Sequence, residues 1–460
     1  MKSLPIIGRC IGLIVCVLAA SAGVAEGQLT PIVADLEESS KKSFYVTPAG
    51  NDSNNGQTVA KAFRTIQKAV NAASKAGTVI YVAPGTYKET VTLGSGVKSG
   101  SPAKPIAIVG DVKGVETGWS PGEVIIDGQG SRQYGIQLGG PDHWTFTNLR
   151  ITGQTVANVY TTASDVSGIT LDDCTFDVTT SWGLYFANCG NVAVTDCVFN
   201  RTAKSGHATY LYQTSGDTMI VAGNRMSLKG KEYLSTGFRQ GRLWYNGGSF
   251  TSASYCYGII AMAYNTATPM KITVQNNVIS DAYLGVYVYN YGDKKSSTMT
   301  VSHNTSVGCY YGMYVYSDSK TTATITNNIT GDCYLGAYVY SPLGTLDGHL
   351  AYNLTYNPCK ADTWKGCAYV SVAKLGTVVL QQTPEFADAA GGDFSLTGTV
   401  GIDAGVPLGA TSADVMGTRR PVDGDGDGNA VVDIGAFEST EQEAKTLRII
   451  KWEEVGVDEE

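Results

Sequence analysis

Apolar and polar residues alternate in short runs through the middle of the chain, and the runs repeat. Leu284-Gly285-Val286-Tyr287-Val288-Tyr289, Tyr311-Gly312-Met313-Tyr314-Val315-Tyr316 and Leu335-Gly336-Ala337-Tyr338-Val339-Tyr340 share one pattern, and Gly285, Gly312 and Gly336 mark its period. Eight positions before each of these glycines stands an asparagine, Asn277, Asn304 or Asn328, and each follows a β-type run such as Ile272-Thr273-Val274 or Thr324-Ile325-Thr326. Looser copies extend N-terminally, where Leu171-Asp172-Asp173-Cys174-Thr175-Phe176 is answered one period later by Val194-Thr195-Asp196-Cys197-Val198-Phe199. A period in this range marks units that bury their apolar side only by stacking. Alternation of period two, with no room for a packed helix inside a unit, makes each unit one coil of a parallel β-helix. A sandwich or barrel would need tight hairpin signals, and the clearest of these, Asn246-Gly247, lies in an apparent insertion.

The alternation also assigns faces. Val286, Val288, Met313, Val315, Ala337 and Val339 are expected to point into the bore, while Tyr287, Tyr289, Tyr314, Tyr316, Tyr338 and Tyr340 point outward, stacked rung on rung. An open coil exposes its core at the ends unless something covers it. Phe63, Ile66, Val70 and Ala73 fall on one helical face within residues 62–75, which predicts a capping helix over the N-terminal rung.

Composition narrows the functional classes. Glycine, at 55 of 460 residues against 14 prolines, supplies corners and not a collagen-like or linker chain. A net charge of −8 with 33 Lys and Arg scattered along the chain excludes a nucleic-acid surface, which needs clustered positive charge. Lys2 and Arg9 precede the apolar run 11–20, and Ala20-Ser21-Ala22 supplies small residues for cleavage, so residues 1–25 read as an export signal. The run is shorter than a bilayer span and no later segment approaches one, so no membrane span is expected. The product is then secreted or held at the cell surface. Residues 26–42 read as a linker, 43–400 as the β-helix, 401–438 as an Asp/Gly-rich cap segment and 439–460 as a polar tail.

A family resemblance enters with three N-terminal segments. Phe44-Tyr45-Val46-Thr47-Pro48-Ala49-Gly50-Asn51-Asp52, Phe63 to Val70, and Ile80-Tyr81-Val82-Ala83-Pro84-Gly85-Thr86-Tyr87 resemble the N-terminal cap of secreted bacterial proteins of the pectate-lyase-like superfamily. The resemblance implies an all-β fold, a single-stranded right-handed parallel β-helix, with polysaccharide lying along an outer face. It does not fix the chemistry, because one fold hosts many activities. Such lyases present aspartates on successive rungs to hold calcium beside a lysine. Asp172-Asp173 with Asp196 is the nearest approach here, at positions that ordinarily make Asp turn bonds.

Three candidate sites follow. Outward Tyr210, Tyr287, Tyr289, Tyr314, Tyr316, Tyr338 and Tyr340 suit the apolar faces of sugar rings, although stacked tyrosines also stabilise a ladder by themselves. An insertion at 229–252 carries Arg239, Arg242 and Trp244, close in sequence to Lys204 and His207. Cations beside an acidic sugar would pair with its carboxylate and stabilise the enolate formed in β-elimination, with Lys, His or Tyr as base. The alternative is a solvated loop. Asp423, Asp425 and Asp427, alternating with glycines and followed by Asp433, have the spacing of a structural calcium loop, while Ile434 stands where a helix-loop-helix site would need its closing acid. The stretch from Arg419 to Glu438 also resembles the C-terminal segment of secreted β-helix proteins labelled choice-of-anchor. Cys174 with Cys197, and Cys309 with Cys333, share a phase in neighbouring rungs, and Cys359 and Cys367 are spaced to close a short loop.

The expected function is binding of an acidic polysaccharide along the tyrosine face, with cleavage by β-elimination; the alternative is a non-catalytic cell-surface or matrix protein with a glycan-adhesion face. Glycoside hydrolysis has less support, because paired outward carboxylates are scarce.

Overall fold

The computed structural model describes residues 42–440 except 162–165, 180–181, 202–205, 214, 229–255, 265, 267, 293–296, 319, 334, 342–345, 357–367, 372–376, 381, 408 and 410; the side chains of 346–349, 368–371 and 377–380 are also left aside. Each coil contributes strands to three parallel stacks. One stack is a separate ten-stranded sheet that includes His207–Gln213, Tyr257–Tyr264, Leu284–Tyr291, Tyr311–Ser317 and Leu335–Tyr340. The other two belong to a 21-stranded sheet, which contains runs such as Lys271–Gln275 and Val278–Ser280. The fold is a right-handed single-stranded parallel β-helix.

Register between rungs is strict. Tyr287 pairs with Tyr314 and Tyr314 with Tyr338, and Ile272 pairs with Met299 and Met299 with Ala323. A slip of one residue would put every apolar residue on the wrong side, so the alternation itself fixes the pairing. Val286, Val288, Met313, Val315, Ala337 and Val339 are all buried in one continuous core.

The corner between the two runs of the large sheet has its own column. Asp173, Asp196, Gly223, Asn276, His303, Asn327 and Tyr352 all take left-handed backbone angles there. The next residue in each coil points inward: Cys174, Cys197, Asn224, Asn277, Asn304, Asn328 and Asn353. The five asparagines form a ladder: the Nδ2 groups of Asn224, Asn277, Asn304 and Asn328 each donate to the Oδ1 of the next rung at 2.8–2.9 Å and to a backbone carbonyl of the preceding rung, and Asn353 ends it by donating to Ile325 O. Bonding of this kind turns costly buried amides into a brace for the corner. The thiols of Cys174, Cys197, Cys309 and Cys333 donate to backbone carbonyls, those of Asp172, Thr195, Val307 and Gly331 among them, and all four cysteines are free and buried. Cys359 and Cys367 lie outside the described residues.

The N-terminal helix spans Ile66–Ala72 and is shorter than the periodicity predicts. Thr65 caps it by accepting from Lys68 N, and Glu89 accepts from the N–H groups of Ile66 and Gln67. Phe63 remains extended and bridges to Val46, so it reaches the same apolar layer from a strand.

The segment after 400 does more than cover the end of the coil. It runs back along the flank, where Gln275 and Ser302 donate to Gly409 O, Asn276 to Thr411 Oγ1 and Ala413 O, and Asn327 to Val406 O. Two small apolar clusters anchor it, Val278 and Val307 with Val415 and Phe437, and Ile329 and Leu354 with Ile402 and Ile434.

Candidate functional site

The ten-stranded sheet turns a wall of aromatic rings outward. In one column the centroids of Tyr134, Tyr160, Tyr185 and Tyr210 follow one another at 4.4, 5.3 and 4.9 Å, and beyond Ile260 the column resumes as Tyr287, Tyr314 and Tyr338 at 4.9 and 4.6 Å. A second column runs through Tyr289, Tyr316 and Tyr340, at 4.5 and 5.8 Å, and Tyr264 stacks on Tyr291 at 4.9 Å beside it. From Tyr160 onward the rings repeat at the rung spacing because parallel in-register strands place equivalent residues about 4.8 Å apart, whereas Tyr134 reaches Tyr160 from the position paired with Ala157. The rings are partly buried, and their flanks face solvent.

The structure therefore brings together Tyr210, Tyr287, Tyr289, Tyr314, Tyr316, Tyr338 and Tyr340 on one face. Sequence reasoning missed Tyr134, Tyr160, Tyr185, Tyr257, Tyr264, Tyr291 and Trp182, which extend it. The signal was present: Tyr160, Tyr185 and Tyr210 recur at an even interval along the chain.

Burial raises Tyr210, Tyr287 and Tyr314 above the ordinary phenol range, Tyr287 to about 12. These phenols keep their protons near neutrality. They can hydrogen-bond a substrate but are poor bases there.

His207 belongs to the same wall. Its ring lies 4.2 Å from that of Trp182 and 4.6 Å from that of Tyr257, and its Nδ1 accepts the Tyr257 N–H at 3.2 Å. The proton of the neutral ring is therefore on Nε2. Burial, with the positive charge of Arg201 adding to it, lowers the imidazole to about 4. The ring is thus neutral near neutrality, with its Nδ1 occupied, and it is packed between Trp182 and Tyr257 within the wall. Lys204, Arg239, Arg242 and Trp244 lie outside the described residues.

On the C-terminal segment the acidic residues divide into two groups. Carboxylate oxygens of Asp403, Asp423 and Asp425 lie within 4.8 Å of one another. Asp403 accepts the N–H groups of Gly424, Asp425 and Val431, and Asp423 those of Gly426 and Gly428. Asp427 is outside this trio and accepts from Asn429 N. Asp433 is fully buried, accepts from Asp403 N and Ser439 N, and neighbours Glu438, which pairs with buried Arg420 at 3.3 Å. Burial raises Asp433 to about 7, with the Glu438 charge adding to the shift. The spacing of Asp423 and Asp425 was legible, but Asp403 enters from a separate corner earlier in the chain.

Asp173 and Asp196, read from sequence as turn-bonding residues, are at the expected corners with φ of 51° and 52°. Asp172 accepts the Thr195 hydroxyl at 2.6 Å, whereas the carboxylates of Asp173 and Asp196 take no hydrogen bond from the described residues.

Fold and face define a parallel β-helix with an aromatic outer wall. The chain belongs to the family described as protein of unknown function (DUF1565), whose model matches residues 48–334. No curated protein matches it. Among solved structures it is similar to a pectate lyase, Pel9A, at 16% identity, covering 87% of this chain and 97% of that one with a TM-score of 0.42. It is also similar to a rhamnogalacturonan lyase at 16% identity (73% and 87% covered, TM-score 0.43) and to a lacto-N-biosidase from Eubacterium ramulus at 13% (73% and 68%, TM-score 0.41).

Proposed function

We propose that this is an exported, carbohydrate-active protein that binds an acidic polysaccharide along the tyrosine wall. The observation that carries the reading is the double column through Tyr287, Tyr314 and Tyr338 and through Tyr289, Tyr316 and Tyr340. A sugar unit in an extended glycan advances by about the spacing of one rung. The solvent-facing flanks of the rings then meet successive units, and protonated phenols donate to their oxygens.

The chemical step in this reading is β-elimination. Lys204, Arg239 and Arg242 supply the positive charge that holds the uronate carboxylate and its enolate, and Trp244 is a further aromatic contact for the sugar. The base in this reading is Lys204 or His207, and the lowered proton affinity of the packed His207 ring favours the lysine. Incubation of the protein with a panel of uronate-containing polysaccharides, followed in the ultraviolet for the unsaturated product, tests this step. New absorbance that is lost in Arg239→Ala and Arg242→Ala supports elimination; its absence with retained glycan binding leaves an adhesion protein at the secreted or cell-surface location.

Calcium belongs to the same proposal as a structural ion. The hard carboxylate oxygens of Asp403, Asp423 and Asp425 fit such a cation, and their position between the corner at 403 and the loop at 423 would let it tie down the flanking segment.

A further inference from the structure

A cleft of about 460 Å³ opens where the C-terminal segment leaves the flank of the coil, and none of the wall tyrosines lines it. Asp173 and Asp196 stand on one side at the same corner of adjacent rungs, following the paired residues Asp172 and Thr195. The next corner is Gly223, where a Cβ would collide with Asp196 Oδ1, so the absence of a side chain makes the space this carboxylate occupies. Arg225 shares the cleft, and its guanidinium donates from Nη1 to the Met416 sulfur at 3.5 Å.

Many aspartates elsewhere in this fold are committed to the backbone: Asp111, Asp127, Asp142, Asp403 and Asp414 each accept main-chain N–H groups. Asp173 and Asp196 are exposed and accept none from the described residues, so the corners hold without them. A second observation comes from the cleft wall. Asn276 is only 6% exposed and its Nδ2 holds the C-terminal segment, yet its Oδ1 is enclosed with no hydrogen-bond partner. An unmet buried acceptor costs free energy unless a ligand or water reaches it.

We propose that this cleft is a second carbohydrate site, taking one or two neutral sugar units. The group set is that of a polyol binder: two carboxylates and an amide oxygen accept from hydroxyls, while a guanidinium donates to ring or hydroxyl oxygens. Met416, 60% exposed at the rim, offers an apolar surface to a sugar's C–H face. The volume lies in the range of small-ligand sites. A bare divalent cation is the competing occupant, and the guanidinium of Arg225 opposes it. Desolvation and the charges of Asp172 and Asp173 raise Asp196 to about 6, so near neutrality it accepts hydrogen bonds as a carboxylate and loses that form in acid.

The test uses the full chain with methyl glycosides of neutral hexoses and 6-deoxyhexoses as probes, followed by saturation-transfer NMR and calorimetry, with calcium chloride titrated separately. The expected result is saturable binding of at least one glycoside, weakened about tenfold or more, or about 1.4 kcal/mol, in each of Asp173→Asn, Asp196→Asn and Arg225→Gln. Tyr289→Ala should leave this binding unchanged, which separates the cleft from the tyrosine wall. The carboxylates hold no main-chain bond, so their variants should melt as the parent does. Failure of every glycoside to bind, binding that ignores the carboxylate variants, or calcium occupying the cleft through Asp173 and Asp196 would each overturn the proposal.

Discussion

Tyr289 and Tyr316 occupy the same register position on adjacent rungs, and their rings stack at 4.5 Å with planes 13° apart. That one contact has two uses. It stabilises the join between coils, and it holds two ring edges and their hydroxyls at the spacing at which a polymer of sugar rings could lie across them.

The architectural use is separable from binding. Tyr314→Ala removes three ring contacts, to Tyr287 at 4.9 Å, Tyr338 at 4.6 Å and Tyr311 at 5.6 Å, and should cost about 1–3 kcal/mol in chemical denaturation. Tyr314→Phe keeps the rings and should cost little. Equal losses in the two variants would mean that the hydroxyl, and not the stack, stabilises the coil.

The asparagine ladder is expected to be the most sensitive part of the corner. Asn304→Ala leaves Asn277 Nδ2 and the carbonyl of Val274 without their partner in a dry interior. Each orphan costs about 1–3 kcal/mol, so the variant should lose about 2–5 kcal/mol in urea unfolding. A loss under about 1 kcal/mol would show that water enters and replaces the amide.

Acid stability should report His207. Its folded-state value of about 4 is below the usual 6.5, so protonation favours the unfolded chain; the contribution is complete above 6.5 and is lost as pH falls through 4. His303, lowered to about 2 by burial and by the charge of Arg420, acts in the same direction and extends the loss to lower pH. An NMR titration is expected to find the His207 ring neutral at pH 6, and His207→Gln should flatten the decline between pH 6.5 and 4. A ring that titrates near 6.5 would remove the preference for the lysine as base.

Calcium should raise the melting midpoint of the parent protein, and Asp403→Asn should abolish the rise. At a hundredfold excess over the dissociation constant, linkage gives about 2.7 kcal/mol. Equal melting in calcium and in chelator would remove the ion from the account.

Much of the coil was legible because burial acts on it with a short, regular period. Val286, Val288 and Val315 are inside because alternation leaves them nowhere else. The tyrosine wall was half legible: the Gly-x-Tyr-Val-Tyr strands stood out, while Tyr134, Tyr160 and Tyr185 sit in strands whose other residues vary. Contacts between distant segments carried no such signal. Asp403 joins Asp423 and Asp425 only through the path of the C-terminal segment, and Asn276 meets Ala413 across 137 residues. The surroundings of His207 were not legible, because Trp182, Tyr257 and Arg201 come from other parts of the coil.

The central claim is that a polysaccharide lies on the tyrosine wall. Affinity electrophoresis of the parent protein, Tyr289→Ala and Tyr316→Ala through gels containing each acidic polysaccharide addresses it directly. The account predicts retardation of the parent by at least one glycan and a loss of about 1–3 kcal/mol of affinity in each variant while the fold persists, as for other rings that bind by stacking. Retardation that is the same in all three proteins would contradict it.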